Sequence, residues 1–130
     1  MTTKYIGVGD DGEWGLIINY NLHSHDTDEL AAVMDSFGMS NADVNEALGV
    51  LLNEYNSGMC VSREDLRMSA VFIGRTDSRS QFWNTISHEL THVGTAIIDY
   101  YAVPYSSEAA AYLQGYLLQR VVEEIATPCR

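Results

Sequence analysis

One long amphipathic helix, predicted over about residues 80–101, constrains the fold of this chain more than any other sequence feature. Apolar residues recur at helical spacing and form one stripe, which consists of Phe82, Ile86, Leu90, Val93, Ile97 and Tyr100. A stripe of this kind is buried against other elements, so the helix is expected to lie on a core. A second face of the helix is expected to stay free of that core and carries Thr85, His88, His92 and Ala96.

The other predicted elements make the chain an α+β domain. Strands are predicted at residues 14–20 and 68–74, and further helices at residues 26–38, 40–58 and 106–125. The strands precede the last two helices instead of alternating with helices, which is typical of the α+β class. A length of 130 residues suits one domain with one core, spanning residues 1–130.

A glycine-rich segment near the start of the chain has the spacing GxGxxG of a dinucleotide-binding loop. Its glycines are Gly7, Gly9 and Gly12. The fingerprint requires a helix after the loop, whereas a strand-like run follows here, and Asp10 and Asp11 would repel a pyrophosphate. We therefore interpret the segment as a glycine-rich turn.

Charge and hydropathy exclude several classes of partner. The chain has 7 Lys and Arg against 18 Asp and Glu, a net charge of −11, so no nucleic-acid partner is expected. No apolar run is long enough for a membrane span, and the N-terminus lacks the apolar region of a secretory signal. These features predict a cytoplasmic protein, in which Cys60 and Cys129, which form no CxxC pair, are reduced thiols.

The long helix carries the motif His88-Glu89-Leu90-Thr91-His92. Residues four apart on a helix point about 40° from each other, so both imidazoles can bind one metal ion. Glu89 lies beside this pair and can take a proton from a metal-activated water without binding the metal itself. The motif therefore predicts a zinc site with a general base.

A third metal ligand is expected downstream of the motif. Glu108 opens the last predicted helix, and a helix hairpin would bring it toward the two histidines. Asp99 shares their helical face but lies about 10 Å further along the axis, so we expect it to face solvent or cap the helix. His23 and His25 are expected to lie at the surface, although a role as extra ligands or substrate contacts stays open.

The string His88-Glu89-Leu90-Thr91-His92-Val93, with Glu108-Ala109 downstream, resembles the gluzincin type of zincin metallopeptidases. Thermolysin-like enzymes carry the same HELTH string and a Glu-Ala on the following helix. The stretch 107–115 also resembles compact phage and prophage zincin-like proteins. Two differences are evident: Glu108 follows His92 by only 16 residues, and Tyr112 stands where thermolysin-like enzymes have an acidic residue.

The resemblance implies a minimal zincin-like domain, mostly helical, with a small sheet flanking the active-site helix and the two N-terminal helices packed behind it. Its zinc ligands would be His88, His92 and Glu108, and Glu89 would be the general base. A peptide or protein substrate would lie along strand 68–74, expected at the rim of the sheet. Tyr112 would either donate a hydrogen bond to the oxyanion or pack in the core.

The same residues leave two alternatives open. One is a catalytically inactive zinc-binding interaction module of phage or mobile-element origin, since a short chain has little material for the second wall of a substrate cleft. The other is a metal-assisted hydrolase that acts on a different amide bond. An open metal position facing a groove favours an enzyme, whereas a closed set of four ligands favours a structural site.

Overall fold

The computed structural model describes residues 1–125 and contains a four-stranded sheet with helices on both faces. Its strands are β1 (Thr2–Val8), β2 (Trp14–Tyr20), β3 (Gly58–Arg63) and β4 (Met68–Ile73). Its helices are α1 (Thr27–Ser36), α2 (Asn41–Asn53), α3 (Arg79–Tyr100) and α4 (Ser107–Glu124). The predicted α+β class is confirmed, and each predicted helix and strand is present. The predicted end of the second helix at residue 58 is wrong, because α2 ends at Asn53 and Gly58 begins β3.

The order of strands across the sheet is β1-β2-β4-β3. Strands β1 and β2 pair antiparallel, β2 and β4 pair parallel, and β4 and β3 pair antiparallel. Strand β4 is therefore internal, and β1 and β3 are the edges. The prediction that strand 68–74 lies at the rim is wrong, because β3, which the sequence analysis left unassigned, covers that side of β4.

The two faces of the sheet carry separate cores. On one face, α3 and α4 bury Phe82, Ile86, Leu90, Val93, Leu117 and Val121 against the sheet. On the other face, α1 and α2 bury Leu30, Met34, Val44, Leu48 and Leu51. The expectation that the two N-terminal helices pack behind the active-site helix is wrong, since the sheet separates them. Strand β4 contributes side chains to both cores: Val71 faces α3, and Phe72 faces α1 and α2.

Gly9 and Gly12 of the glycine-rich segment lie in the turn between β1 and β2, whereas Gly7 lies within β1. Gly9 and Gly12 have positive φ angles of 94° and 65°, which favour glycine. The N–H of Gly12 donates to the carbonyl oxygen of Gly9 at 3.1 Å. A strand rather than a helix follows, so the interpretation as a turn is confirmed.

Two further expectations concern the membrane and the cysteines. No helix described in residues 1–125 combines the length and apolar character needed to cross a bilayer. Cys60 is a free thiol in the structure, as expected. Cys129 lies outside the described residues.

Candidate metal centre

Helix α3 places the HExxH motif at the middle of its length. The helix begins where the side chain of Ser78 accepts a hydrogen bond from the N–H of Gln81 at 3.1 Å, a typical N-cap. Its predicted stripe is fully buried from Phe82 to Val93, whereas Tyr100, near the C-terminus, is 40% exposed. The stripe fixes the rotation of the helix and leaves the histidines outside the core.

The two histidines of the motif lie side by side on the exposed face of α3. The ring centroids of His88 and His92 are 5.2 Å apart, and the side chain of His88 is 70% exposed. This is the proximity that spacing by four residues gives on a straight helix. The structure therefore brings both predicted histidine ligands to one place.

The side chain of Glu89 points from α3 toward the edge strand β3, and Glu89 is only 5% exposed. Its Oε1 is 3.9 Å from Nε2 of His88. Burial raises the pKa of the Glu89 carboxyl above its ordinary value, while the nearby charges of His88 and His92 oppose that rise. A carboxylate with a raised pKa is a stronger base than an exposed one.

A groove of about 450 Å³ lies alongside α3 and β3, and we call it the α3–β3 groove. It is lined by Gly58, Met59, Cys60, Ser62, His88, Glu89 and His92. Because β3 is an edge strand, the groove follows unpaired backbone groups. Sequence reasoning missed the β3 side of this site. The sequence signal that could have predicted this strand is the alternation of side chains between the two faces over residues 58–63. Met59 and Val61 face α2, while Cys60 packs toward α3.

Cys60 lines the groove as a neutral thiol. Burial raises the pKa of Cys60 to about 12, the negative charge of Glu89 adds to that rise, and a hydrogen bond with Ser62 opposes it. The thiolate is the form that binds metal and attacks electrophiles. Cys60 therefore acts as a small apolar side chain at neutral pH and packs against the core beneath α3.

Gly58 allows the close approach of β3 to α3. A Cβ at this position would lie 2.7 Å from Cγ2 of Thr85 and 3.1 Å from Cγ of Glu89. We expect Gly58→Ala to lower the free energy of unfolding by about 1–3 kcal/mol, because the added methyl group pushes the strand off the helix. Urea denaturation measures the change. Gly49→Ala is the matched control, since open space surrounds Gly49 on α2, and it should raise stability by about 0.5–1 kcal/mol. Equal effects of the two substitutions would contradict this packing.

Helix α4 folds back on α3 but turns Glu108 and Tyr112 outward. Nε2 of Gln114 donates to the carbonyl oxygen of Ser87 at 2.9 Å, and Leu117 lies against Gly94 of α3. Glu108 precedes Leu117 by nine residues, which on a helix is about half a turn away from the packed face. Glu108 is accordingly exposed. Tyr112 is 77% exposed, so the expectation that it packs in the core is wrong.

The structure therefore brings His88, Glu89 and His92 together and leaves the two predicted α4 residues apart from them. Within residues 1–125, no three His, Cys, Asp or Glu side chains are arranged so that they could hold a metal ion. The assignments of Glu108 as a ligand and Tyr112 as an oxyanion donor stay predictions.

The remaining candidate residues lie outside the α3–β3 groove. Asp99 is exposed near the end of α3, where its carbonyl oxygen accepts the N–H of Ala102 at 3.2 Å. His23 and His25 are exposed in the turn before α1, with ring centroids 5.3 Å apart. Nε2 of His25 lies 3.5 Å from Oδ1 of Asp26. These positions agree with the expected surface roles.

Comparison of the chain with protein-family models, with curated proteins and with solved structures finds no match. The function is therefore inferred from the motif and from the geometry of the site. Three features of the site support this inference: the histidine pair, the buried glutamate beside it and the strand edge that borders both.

Proposed function

We propose that this chain is a zinc-dependent metallopeptidase. The observation that carries the proposal is the HExxH motif on α3, whose two imidazoles lie 5.2 Å apart beside a buried glutamate. Imidazole nitrogens are preferred zinc ligands, so His88 and His92 fit the role of holding the metal. A bound zinc ion supplies Lewis acidity, which lowers the pKa of water and polarises a carbonyl group.

Glu89 is the general base in this proposal. Its carboxylate would take a proton from the attacking water and later deliver it to the leaving amine. Two features support the role. Its side chain is buried against Gly58 of β3, and its Oε1 lies 3.9 Å from Nε2 of His88. The side chain also borders the groove that a substrate would enter.

The edge of β3 is the proposed binding surface for the substrate. An edge strand presents unpaired N–H and C=O groups, and an extended peptide can add to it as a further strand. Such a peptide would run along the α3–β3 groove and bring its backbone past His88 and Glu89. The expected partner is therefore a peptide or an extended protein segment.

A second candidate is a zinc-binding interaction module without peptidase activity. The position of Tyr112, which is 77% exposed and does not line the α3–β3 groove, favours it, because a peptidase site needs a hydrogen-bond donor for the oxyanion beside the metal. In this alternative the same two histidines hold the metal. The two candidates therefore differ in hydrolysis and agree in metal binding.

Metal analysis together with a cleavage assay tests both candidates. The chain is purified with zinc present, its metal content is measured by elemental analysis, and a broad peptide library is incubated with it and read by mass spectrometry. The peptidase should carry about one zinc per chain and lose its cleavage in the presence of a chelator. Zinc without cleavage supports the interaction module, and a metal-free chain contradicts both candidates.

The role of Glu108 is tested by its own substitution. With α4 placed as observed, Glu108→Ala should change zinc affinity by less than about threefold, because the side chain is not among the groups that face the histidines. Competitive titration against a chelating dye measures the affinity, with Asp99→Ala as a matched control on α3. A loss of several orders of magnitude would instead show that α4 turns Glu108 toward the metal.

A further inference from the structure

A second groove lies on the opposite side of the same edge strand, between α2 and β3. This α2–β3 groove has a volume of about 400 Å³ and is lined by Met39, Asp43, Glu46, Ala47, Val50, Leu51, Gly58, Met59, Cys60 and Val61. It shares Gly58, Met59 and Cys60 with the α3–β3 groove. The free edge of β3 is therefore bordered by one groove on each face of the sheet.

The α2–β3 groove combines apolar walls with two carboxylates. Met59 and Val61 form its floor, and Val50, which is 38% exposed, forms part of the helix side. Asp43 and Glu46 are exposed and lie three residues apart, hence on one side of α2. The sequence has no Lys or Arg between Lys4 and Arg63, so α2 carries no cation of its own to neutralise these carboxylates.

A peptide added to β3 would present its side chains to both grooves in turn. Successive side chains of a strand point to opposite faces of the sheet. Strand β3 follows this rule, since Met59 and Val61 pack on the α2 side and Cys60 packs on the α3 side. Every second side chain of an added strand would thus point toward α2 while its backbone runs past the histidines.

We propose that the α2–β3 groove selects peptides with lysine or arginine at the position that points toward α2. This inference rests on the proposed function, because it names the substrate class of the same strand edge. The aliphatic stem of either side chain fits the walls of methionine and valine, and its cationic end reaches Asp43 and Glu46. A glutamate at that position would meet two like charges and is rejected.

The test is direct binding of defined peptides to the zinc-loaded full chain with Glu89→Gln, which prevents cleavage during the measurement. The probes are two fluorescently labelled eight-residue peptides, one alternating threonine with lysine and one alternating threonine with glutamate. Fluorescence anisotropy at physiological salt should show at least about tenfold tighter binding of the lysine peptide. Adding Asp43→Asn and Glu46→Gln should reduce that preference to about twofold or less.

A matched control separates the groove from the overall negative charge of the chain. Asp10→Asn with Asp11→Asn makes the same change in charge on the exposed β1–β2 turn, and it should leave the preference for lysine intact. Glu46→Gln alone, which leaves the first turn of α2 unchanged, should give a partial loss. This single variant keeps the test valid if the double substitution perturbs the helix.

The outcomes distinguish this inference from the proposed function. Preferential binding of the lysine peptide, with loss in the groove variants alone, supports the inference even if the wild-type chain cleaves no peptide in the library. Binding of neither peptide, equal binding of both, or an equal loss in the control at Asp10 and Asp11 overturns it. Cleavage of library peptides without enrichment of lysine or arginine also overturns it, while it leaves the peptidase proposal standing.

Discussion

Replacing His88 or His92 with alanine is expected to weaken zinc binding by at least about a thousandfold, because each substitution removes one of two neighbouring imidazole ligands. Both side chains are exposed, so the fold should be nearly unaffected, with a change in unfolding free energy within about 0.5 kcal/mol. Competitive titration against a chelating dye measures the affinity, and thermal unfolding of the metal-free protein measures the stability.

Histidines elsewhere in the chain provide the control for this prediction. His23→Ala and His25→Ala change exposed histidines that do not line the α3–β3 groove, and both variants should bind zinc as the wild type does. If these substitutions weaken zinc binding as strongly as His88→Ala does, the metal binds at the turn before α1. The proposed centre on α3 would then be incorrect.

The second large effect is expected at Glu89. Glu89→Gln should reduce hydrolysis by about 100-fold to 10,000-fold, since the amide cannot accept the proton of the attacking water. Zinc affinity should change by less than about threefold, because the side chain is assigned to the water and not to the metal. The amide has the same shape as the carboxyl, so the packing against Gly58 is retained.

Turnover of a cleaved library peptide, measured beside a zinc titration, checks both parts of the prediction. Glu13→Gln is a suitable control, because it makes the same chemical change at an exposed position of the β1–β2 turn, and it should retain full activity. Loss of zinc from Glu89→Gln would identify Glu89 as a ligand. Retained hydrolysis would place the general base on another residue.

The helices and two of the strands follow from local patterns in the sequence. The Ser40 cap of α2 and the apolar stripe of α3 are each contained within one element, so sequence reasoning finds them. Strand β3 escaped prediction because it is short and half-buried throughout. Its alternation involves only a few residues on each side, and Cys60 and Ser62 weaken the contrast between the faces.

The sequence by itself determines the core of the candidate site. His88, Glu89 and His92 lie on one helix, and the helical repeat sets their relative positions whatever surrounds them. The position of Glu108 depends instead on which face of α4 packs against α3, and the contacts of Gln114 and Leu117 turn it away.

Only the tertiary structure shows that β3 lies beside the motif and that α2 packs on the face of the sheet opposite α3. Both depend on how separate apolar faces pair over long sequence distances, and local periodicity does not encode that pairing.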